Sequence, residues 1–250
     1  MEILVLGHVI GDFYLQNNKI AERKKKSKKY LLLHCALYGT MMYFPIWILN
    51  KSIEKTLWIV FFIAFSHLVI DWNKVKYDKK FSEYEHIIFV LDQIIHLFIL
   101  FIIFYVEKNE GYIQLRECWM INIWNVDINA IRAVLAILIC CKPSAILISL
   151  IFKRIPNTVE IADKDQDNTD IGNESIKIGS WIGILEREII LILGLMGQYG
   201  AIGFVLTAKS VARFNQLEKK AFAEKYLVGT LLSALIALAC SAFCTMNIAV

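Results

Sequence analysis

Apolar residues in this chain are gathered into long unbroken runs, and the length of those runs separates a buried core helix from a membrane span. A helix crossing roughly 30 Å of hydrocarbon needs about 20 mostly apolar residues. Tyr30 to Asn50, Lys55 to Trp72, Ile87 to Val106 and Ile128 to Phe152 answer to that description. Tyr226 to Phe243 is slightly short but carries no charge. Met1 to Gln16 is apolar and brief, and Trp181 to Phe214 is too long for one span and too charged for an ordinary pair. The pattern predicts an all-α, polytopic integral membrane helical bundle with about seven membrane segments.

Polar positions between the runs orient them. The stretch Asn17 to Lys29 holds Lys19, Arg23, Lys24, Lys25, Lys26, Lys28 and Lys29 against Glu22 alone, which makes it cytoplasmic. The amino terminus then lies outside, and Lys74, Lys76, Lys79 and Lys80 return to the inside. Glu2, His8, Asp12 and Tyr14 do not suit a cleaved signal peptide, so Met1 to Gln16 is expected to stay as a short first span. Lys209, Arg213, Lys219, Lys220 and Lys225 are brought back to the cytoplasm if Trp181 to Phe214 folds as a hairpin at Gly197-Gln198-Tyr199-Gly200. The carboxyl terminus then lies outside. Three regions follow: residues 1–155 as a membrane domain, 156–178 as a disordered polar linker, and 179–250 as a second membrane domain with the hairpin and last span. The alternating Asp163, Asp165 and Asp167 of the linker lack the central Gly and terminal Glu of a calcium loop.

Composition agrees with the pattern. Of 250 residues, 57% are hydrophobic and 20% charged, where a soluble domain has about 45–50% and 25%. The mean hydropathy is +0.53. Membrane lipid is thus the expected surrounding and no nucleic-acid partner is expected. The six cysteines form no C-x-x-C pair and read as packing residues, and no glycine-rich phosphate loop or serine nucleophile elbow is present.

Ionisable residues inside apolar runs are costly and demand a partner or a task. His8 and Asp12, His67 and Asp71, and Asp92 and His96 are each four apart, one helical turn, on three different predicted helices, and His34 stands near the start of another. On the predicted topology Asp12, His34, His67, Asp71 and Asp92 lie within one to two turns of a cytoplasmic helix end, with His8 and His96 a turn deeper. His86, beside Glu83 and Glu85, reads as a solvated loop residue. Mixed imidazole and carboxylate groups on facing helices are how bundles hold metal ions, and they suit zinc, manganese or iron. The expected ligands are His8, Asp12, His34, His67, Asp71, Asp92 and His96, with Asp12 and Asp92 as catalytic groups. Interhelical hydrogen bonds that fix packing, or a proton or ion pathway, are the alternatives to a metal centre.

The string His8-x-x-x-Asp12-Phe13-x-Leu15-Gln16, then His34, His67-x-x-x-Asp71 and Asp92-Gln93-x-x-His96, resembles a bacterial and phage family of membrane proteins known as domain of unknown function 3307. The stretches Gly179-x-x-x-Gly183-x-Leu185-Glu186-Arg187, Ala208-Lys209-Ser210 and Gly229-Thr230-Leu231-x-Ser233 resemble its longer members. The resemblance implies no activity. A looser likeness, in polar spacing alone, is to membrane-bound metal-dependent hydrolases of the phospholipase C-like kind.

In the second half Arg187, Lys209 and Arg213 are placed to grip a phosphate or anionic headgroup, unless they are ordinary cytoplasmic anchors. The residues together point to a multi-pass inner-membrane protein with a divalent metal, acting as a hydrolase on a lipid or phosphoester at the cytoplasmic leaflet. A metal-ion or proton transporter, and a membrane scaffold or sensor with a structural His/Asp cluster, remain alternatives.

Overall fold

A computed structural model describes residues 1–50, 52–109, 127–154 and 169–246. Among these residues the regular structure is helical throughout. Helix α1 (Glu2–Val9) runs on into a π-helical turn at Ile10–Tyr14. It is followed by α2 (Asn18–Lys24), α3 (Lys28–Leu49) and α4 (Ile53–Lys80), then a single 3-10 turn and α5 (Glu85–Asn109). The rest is α6 (Ile128–Arg154), α7 (Thr169–Leu195), α8 (Tyr199–Ala212), the short α9 (Phe214–Leu217) and α10 (Lys220–Thr245). The chain forms two compact units, Met1–Leu135 and Ala136–Val250, passing from the first to the second within α6.

Among the described residues five helical segments are long and apolar enough to cross a membrane: Lys28–Leu49, Ile53–Asp78, Ser82–Asn109, Ile128–Arg154 and Lys220–Thr245. The described residues are therefore all-helical with several apolar helices, consistent with a multi-pass membrane protein. The two marginal segments differ from these. Helix α1 has 8 residues and α8 has 14, each shorter than a span, while α7 is interrupted by Glu186, Arg187 and Glu188. The expected turn is present at Gly197, whose φ of 70° is a backbone conformation other residues rarely adopt. The predicted linker 156–178 is only partly within the description. Residues 155–168, with Asp163, Asp165 and Asp167, lie outside it, as do 110–126 with Cys118. Residues 169–178 are helical, the opening of α7, where disorder had been expected.

In the N-terminal unit α3 is the central element. Of its most apolar 18-residue window 44% is buried, against 17% to 28% for the other four candidate spans. Leu4, Tyr38, Met42, Ile46, Ile63 and Leu100 make the apolar core. Short α1 crosses α3 closely: a Cβ on Gly7 would stand 2.7 Å from Pro45 Cγ, and one on Gly11 would stand 2.9 Å from Tyr38 Cδ2. Arg132 Nη2 donates to Glu2 Oε1 at 2.8 Å and ties the second turn of α6 to α1. Outward faces are aromatic, with Trp58, Phe61, Phe62 and Phe65 on α4 and Phe98 and Phe101 on α5 all exposed. This unit is apolar outside and partly polar inside, the reverse of a soluble domain.

The C-terminal unit packs α6, α7, α8 and α10 around Ala136, Cys140, Ile190, Leu191, Ile202 and Ala237. Small residues bring its helices together. A Cβ on Gly194 would meet Ser241 Oγ at 2.7 Å and one on Gly229 would meet Phe152 at 2.7 Å. Gly179 and Gly203, by contrast, have no neighbour within 4 Å of such a Cβ.

Candidate metal centre

The N-terminal unit brings its six ionisable intramembrane positions on α1, α3, α4 and α5, together with Asp12 in the π turn, into one buried layer. His8, Asp12, His34, His67, Asp71, Asp92 and His96 are all buried. The π turn supplies Asp12, in keeping with the frequent use of such turns at functional sites.

His34 Nε2 is the centre of the arrangement. It lies 3.2 Å from Asp12 Oδ1, 3.4 Å from Asp71 Oδ2 and 3.2 Å from His67 Nε2. His67 Nε2 is 3.9 Å from each of the same two carboxylate oxygens. An imidazole nitrogen carries at most one proton, so one N–H cannot satisfy three lone-pair neighbours. Bonds of about 2.0–2.1 Å in tetrahedral zinc set neighbouring ligand atoms about 3.3–3.4 Å apart. The three separations around His34 Nε2 are close to that edge, and the two from His67 Nε2 are about half an ångström longer. Two ligand sets emerge, Asp12, His34 and His67, and His67, Asp71 and His96, each with its donor atoms within 4.8 Å of one another.

The surrounding hydrogen bonds fix several tautomers. His96 Nδ1 lies 2.9 Å from the Asp92 carbonyl, which only accepts, so Nδ1 donates and the buried Nε2 keeps its lone pair. Among the described residues, that Nε2 has no hydrogen-bond partner, nor have Asp71 Oδ1 and Asp92 Oδ1. The His96 ring lies 4.4 Å from that of His67. Gln93 donates from Nε2 to Asp12 Oδ2 and Asp92 Oδ2, both at 3.0 Å, so its Oε1 accepts from His8 Nε2 at 3.2 Å. His8 Nδ1 in turn accepts from the Tyr38 hydroxyl at 3.0 Å. Both His8 nitrogens are thereby occupied, and His8 orients Gln93 and Tyr38 while its expected ligand atom is taken up. Tyr38 also stacks on His67, centroids 3.9 Å apart at 10°. The Nδ1 atoms of His34 and His67 have no protein partner, so the outer contact that commonly steadies a metal-bound imidazole is missing for both among the described residues.

Two lysines enter the layer. Lys24 Nζ is 2.8 Å from Asp71 Oδ2 and Lys74 Nζ is 2.6 Å from Asp92 Oδ2. Three carboxylates face two ammonium groups, which leaves one negative charge, and Asp12 has no ammonium within ion-pair distance among the described residues. Its neighbours are the His34 ring and the Gln93 amide.

Sequence reasoning missed Lys24, Lys74, Gln93 and Tyr38. Lys24 and Lys74 had been absorbed into the orientation signal, although Lys74 follows Asp71 by three and so shares its helix face. Gln93, a polar residue inside an apolar run next to Asp92, was the available signal. His86 lies in the first turn of α5 and takes no part in these contacts.

Residues 1–121 match the model of a family described as a protein of unknown function, DUF3307. The match takes in every residue of the His/Asp layer. No curated protein and no solved structure matches the chain.

The C-terminal unit gathers the other predicted positions. Lys209 forms an ion pair with Glu186 and donates to Thr230 Oγ1 at 3.1 Å. Arg187 donates from Nε to the Cys140 carbonyl at 2.7 Å and from Nη1 to Ser233 Oγ at 3.4 Å. Cys141 Sγ donates to Glu188 Oε1 at 3.0 Å. Lys209, Arg187 and Arg213 line one cavity.

Proposed function

We propose that the N-terminal unit is a membrane-embedded divalent-metal centre, and that it serves a hydrolase acting on a lipid or phosphoester at the cytoplasmic face of a bacterial inner membrane, with the amino terminus outside. The observation that carries the metal reading is the convergence of His34 Nε2, His67 Nε2, Asp12 Oδ1 and Asp71 Oδ2 at separations of 3.2 to 3.9 Å. The two imidazole nitrogens carry at most two protons, too few to satisfy both carboxylates and the contact between the rings, and with the histidines neutral one carboxylate charge is left without an ammonium, which a bound cation would balance. Imidazole with carboxylate selects zinc, manganese or iron over calcium.

A metal in such a set supplies Lewis acidity and a bound water acidic enough to act near neutral pH. The chain's own residues then divide the remaining work. Asp92, its Oδ2 held by Lys74 and Gln93, keeps a buried Oδ1 able to accept a proton. His96 Nε2 offers either a further ligand or a relay for that proton. Gln93 spaces Asp12 from Asp92. Hydrolysis, and not transport, is favoured by a compact set of ligands with a base beside it.

Elemental analysis of the full chain, extracted in mild detergent and purified without an immobilised-metal column, tests the first step. One or more zinc, manganese or iron per chain is expected; less than about 0.2 overturns the reading. A screen of metal-loaded protein against phosphodiester, phosphomonoester and carboxylic ester lipids tests the second. Release of product that Asp92→Asn abolishes while metal content stays is the expected result, and a metal-loaded chain inert toward every class removes the hydrolase assignment.

A further inference from the structure

The C-terminal unit contains a cavity of about 690 Å³, within the range that takes a small ligand. Five cations line it, Lys153, Arg187, Lys209, Arg213 and Lys225, with Glu186 as the one carboxylate among the described lining residues. Glu186 is already engaged by Lys209.

Arg187 makes the cavity more than a basic patch. It is 3% exposed, yet its hydrogen bonds go to the Cys140 carbonyl and the Ser233 hydroxyl, both neutral. Glu186 and Glu188 flank it and act on it at longer range, but none of its recorded hydrogen bonds among the described residues goes to a carboxylate, so the cost of burying the guanidinium is only partly offset. The wall also holds a buried acceptor, Glu186 Oε1, that has no hydrogen-bond partner among the described residues. Thr230 and Ser233, both buried, add hydroxyls. Ile148, Phe152 and Ile182 make an apolar side to the same space.

We propose that this cavity binds a phosphate ester that carries its own hydrogen-bond donor, an ammonium or a hydroxyl, close to the phosphate. The phosphate lies toward Arg187, Lys209 and Arg213, where planar guanidinium groups suit its oxygens. The donor satisfies Glu186 Oε1, and the apolar part of the ligand lies along Ile148, Phe152 and Ile182. This site is independent of the metal centre, since every residue named belongs to the C-terminal unit. Phosphatidylethanolamine and phosphatidylglycerol have this chemistry as lipids, and glycerol 3-phosphate has it as a soluble ester.

The test uses the full chain in nanodiscs of phosphatidylcholine, whose quaternary ammonium donates no hydrogen bond. Phosphatidylethanolamine or phosphatidylglycerol is added as the minor lipid and retention is read by native mass spectrometry. In parallel, glycerol 3-phosphate and inorganic phosphate are titrated by calorimetry. Retention of the donor-bearing lipids over phosphatidylcholine by about tenfold is expected, with loss of that preference in Arg213→Gln and in Arg187→Met. Glu186→Gln is expected to lower the preference for donor-bearing lipid over phosphatidylcholine. If glycerol 3-phosphate binds and the lipids show no preference, the same site takes a soluble ester. Absence of both, or a preference that neither arginine variant changes, overturns the proposal. Arg213 is half-buried and makes no ion pair among the described residues, so Arg213→Gln remains informative if Arg187→Met fails to fold. Metal content is measured on the same samples and separates failure of this site from failure of the metal centre.

Discussion

The two units both bury charge between apolar helices, but the sign of the surplus is opposite. In the N-terminal unit three aspartates face two lysines, and the atoms lacking protein partners are mostly acceptors, Asp71 Oδ1, Asp92 Oδ1 and His96 Nε2 among them. In the C-terminal unit a buried arginine rests on neutral groups, and cations outnumber the single carboxylate in the cavity wall. A surplus of acceptors calls for a cation, and a surplus of guanidinium and ammonium calls for an anion. The difference teaches that ionisable residues in apolar segments are best read by what their set lacks, because each residue taken singly has a hydrogen bond to point to.

The sharpest way to break this contrast is to remove ligands on one side and watch the other. His34→Ala or His67→Ala is expected to reduce bound metal by at least about tenfold, whereas Arg213→Gln leaves it unchanged; equal loss in all three makes the metal adventitious. Next in size is the same kind of substitution made in each unit. Lys74→Met strands Asp92 and is expected to cost about 3–5 kcal/mol in detergent unfolding of the metal-free chain. Arg187→Met removes a cation that makes no close ion pair among the described residues, and is expected to cost less, about 1–2 kcal/mol for its two hydrogen bonds to neutral groups. Similar losses in both variants erase the distinction between a paired and an unpaired buried cation. A smaller effect separates the two kinds of glycine. Gly7→Ala meets Pro45 at 2.7 Å and is expected to cost about 1–3 kcal/mol. Gly203→Ala, with open space around it, is expected to gain about 0.5–1 kcal/mol, as read from thermal midpoints.

What was legible in the sequence follows from periodicity and length. The five spans were readable because hydrocarbon thickness sets a minimum run of apolar residues, and the His/Asp layer because residues four apart share a helix face. The turn at Gly197 was readable because a helix too long and too charged had a glycine where it needed to reverse. The part that was not legible depends on which face of one helix meets which face of another. Lys24 and Lys74 have the same local signature as lysines that merely orient a loop, and only tertiary packing turns them onto Asp71 and Asp92. His8 has the same spacing as a ligand, and only the position of Tyr38 and Gln93 shows both its nitrogens engaged. Residues 169–178 are polar enough to read as linker, yet they open α7, because a helix can extend beyond its apolar stretch at little cost where its backbone bonds are made internally.

The crossing of α1 over Pro45 and Tyr38 has a consequence for biosynthesis. With its π turn, α1 is 13 residues, counting 8 and 5, and at about 1.5 Å per residue it falls well short of roughly 30 Å of hydrocarbon. Such a segment gains too little from lipid to hold its place unaided, and its glycines give it a seat only once α3 has left the ribosome and entered the bilayer. Asp12, translated before α3, therefore reaches His34 late. The centre is completed by a segment that has to wait for its neighbour, and an amino-terminal fusion that delays that docking would leave a chain fully inserted and still without its site.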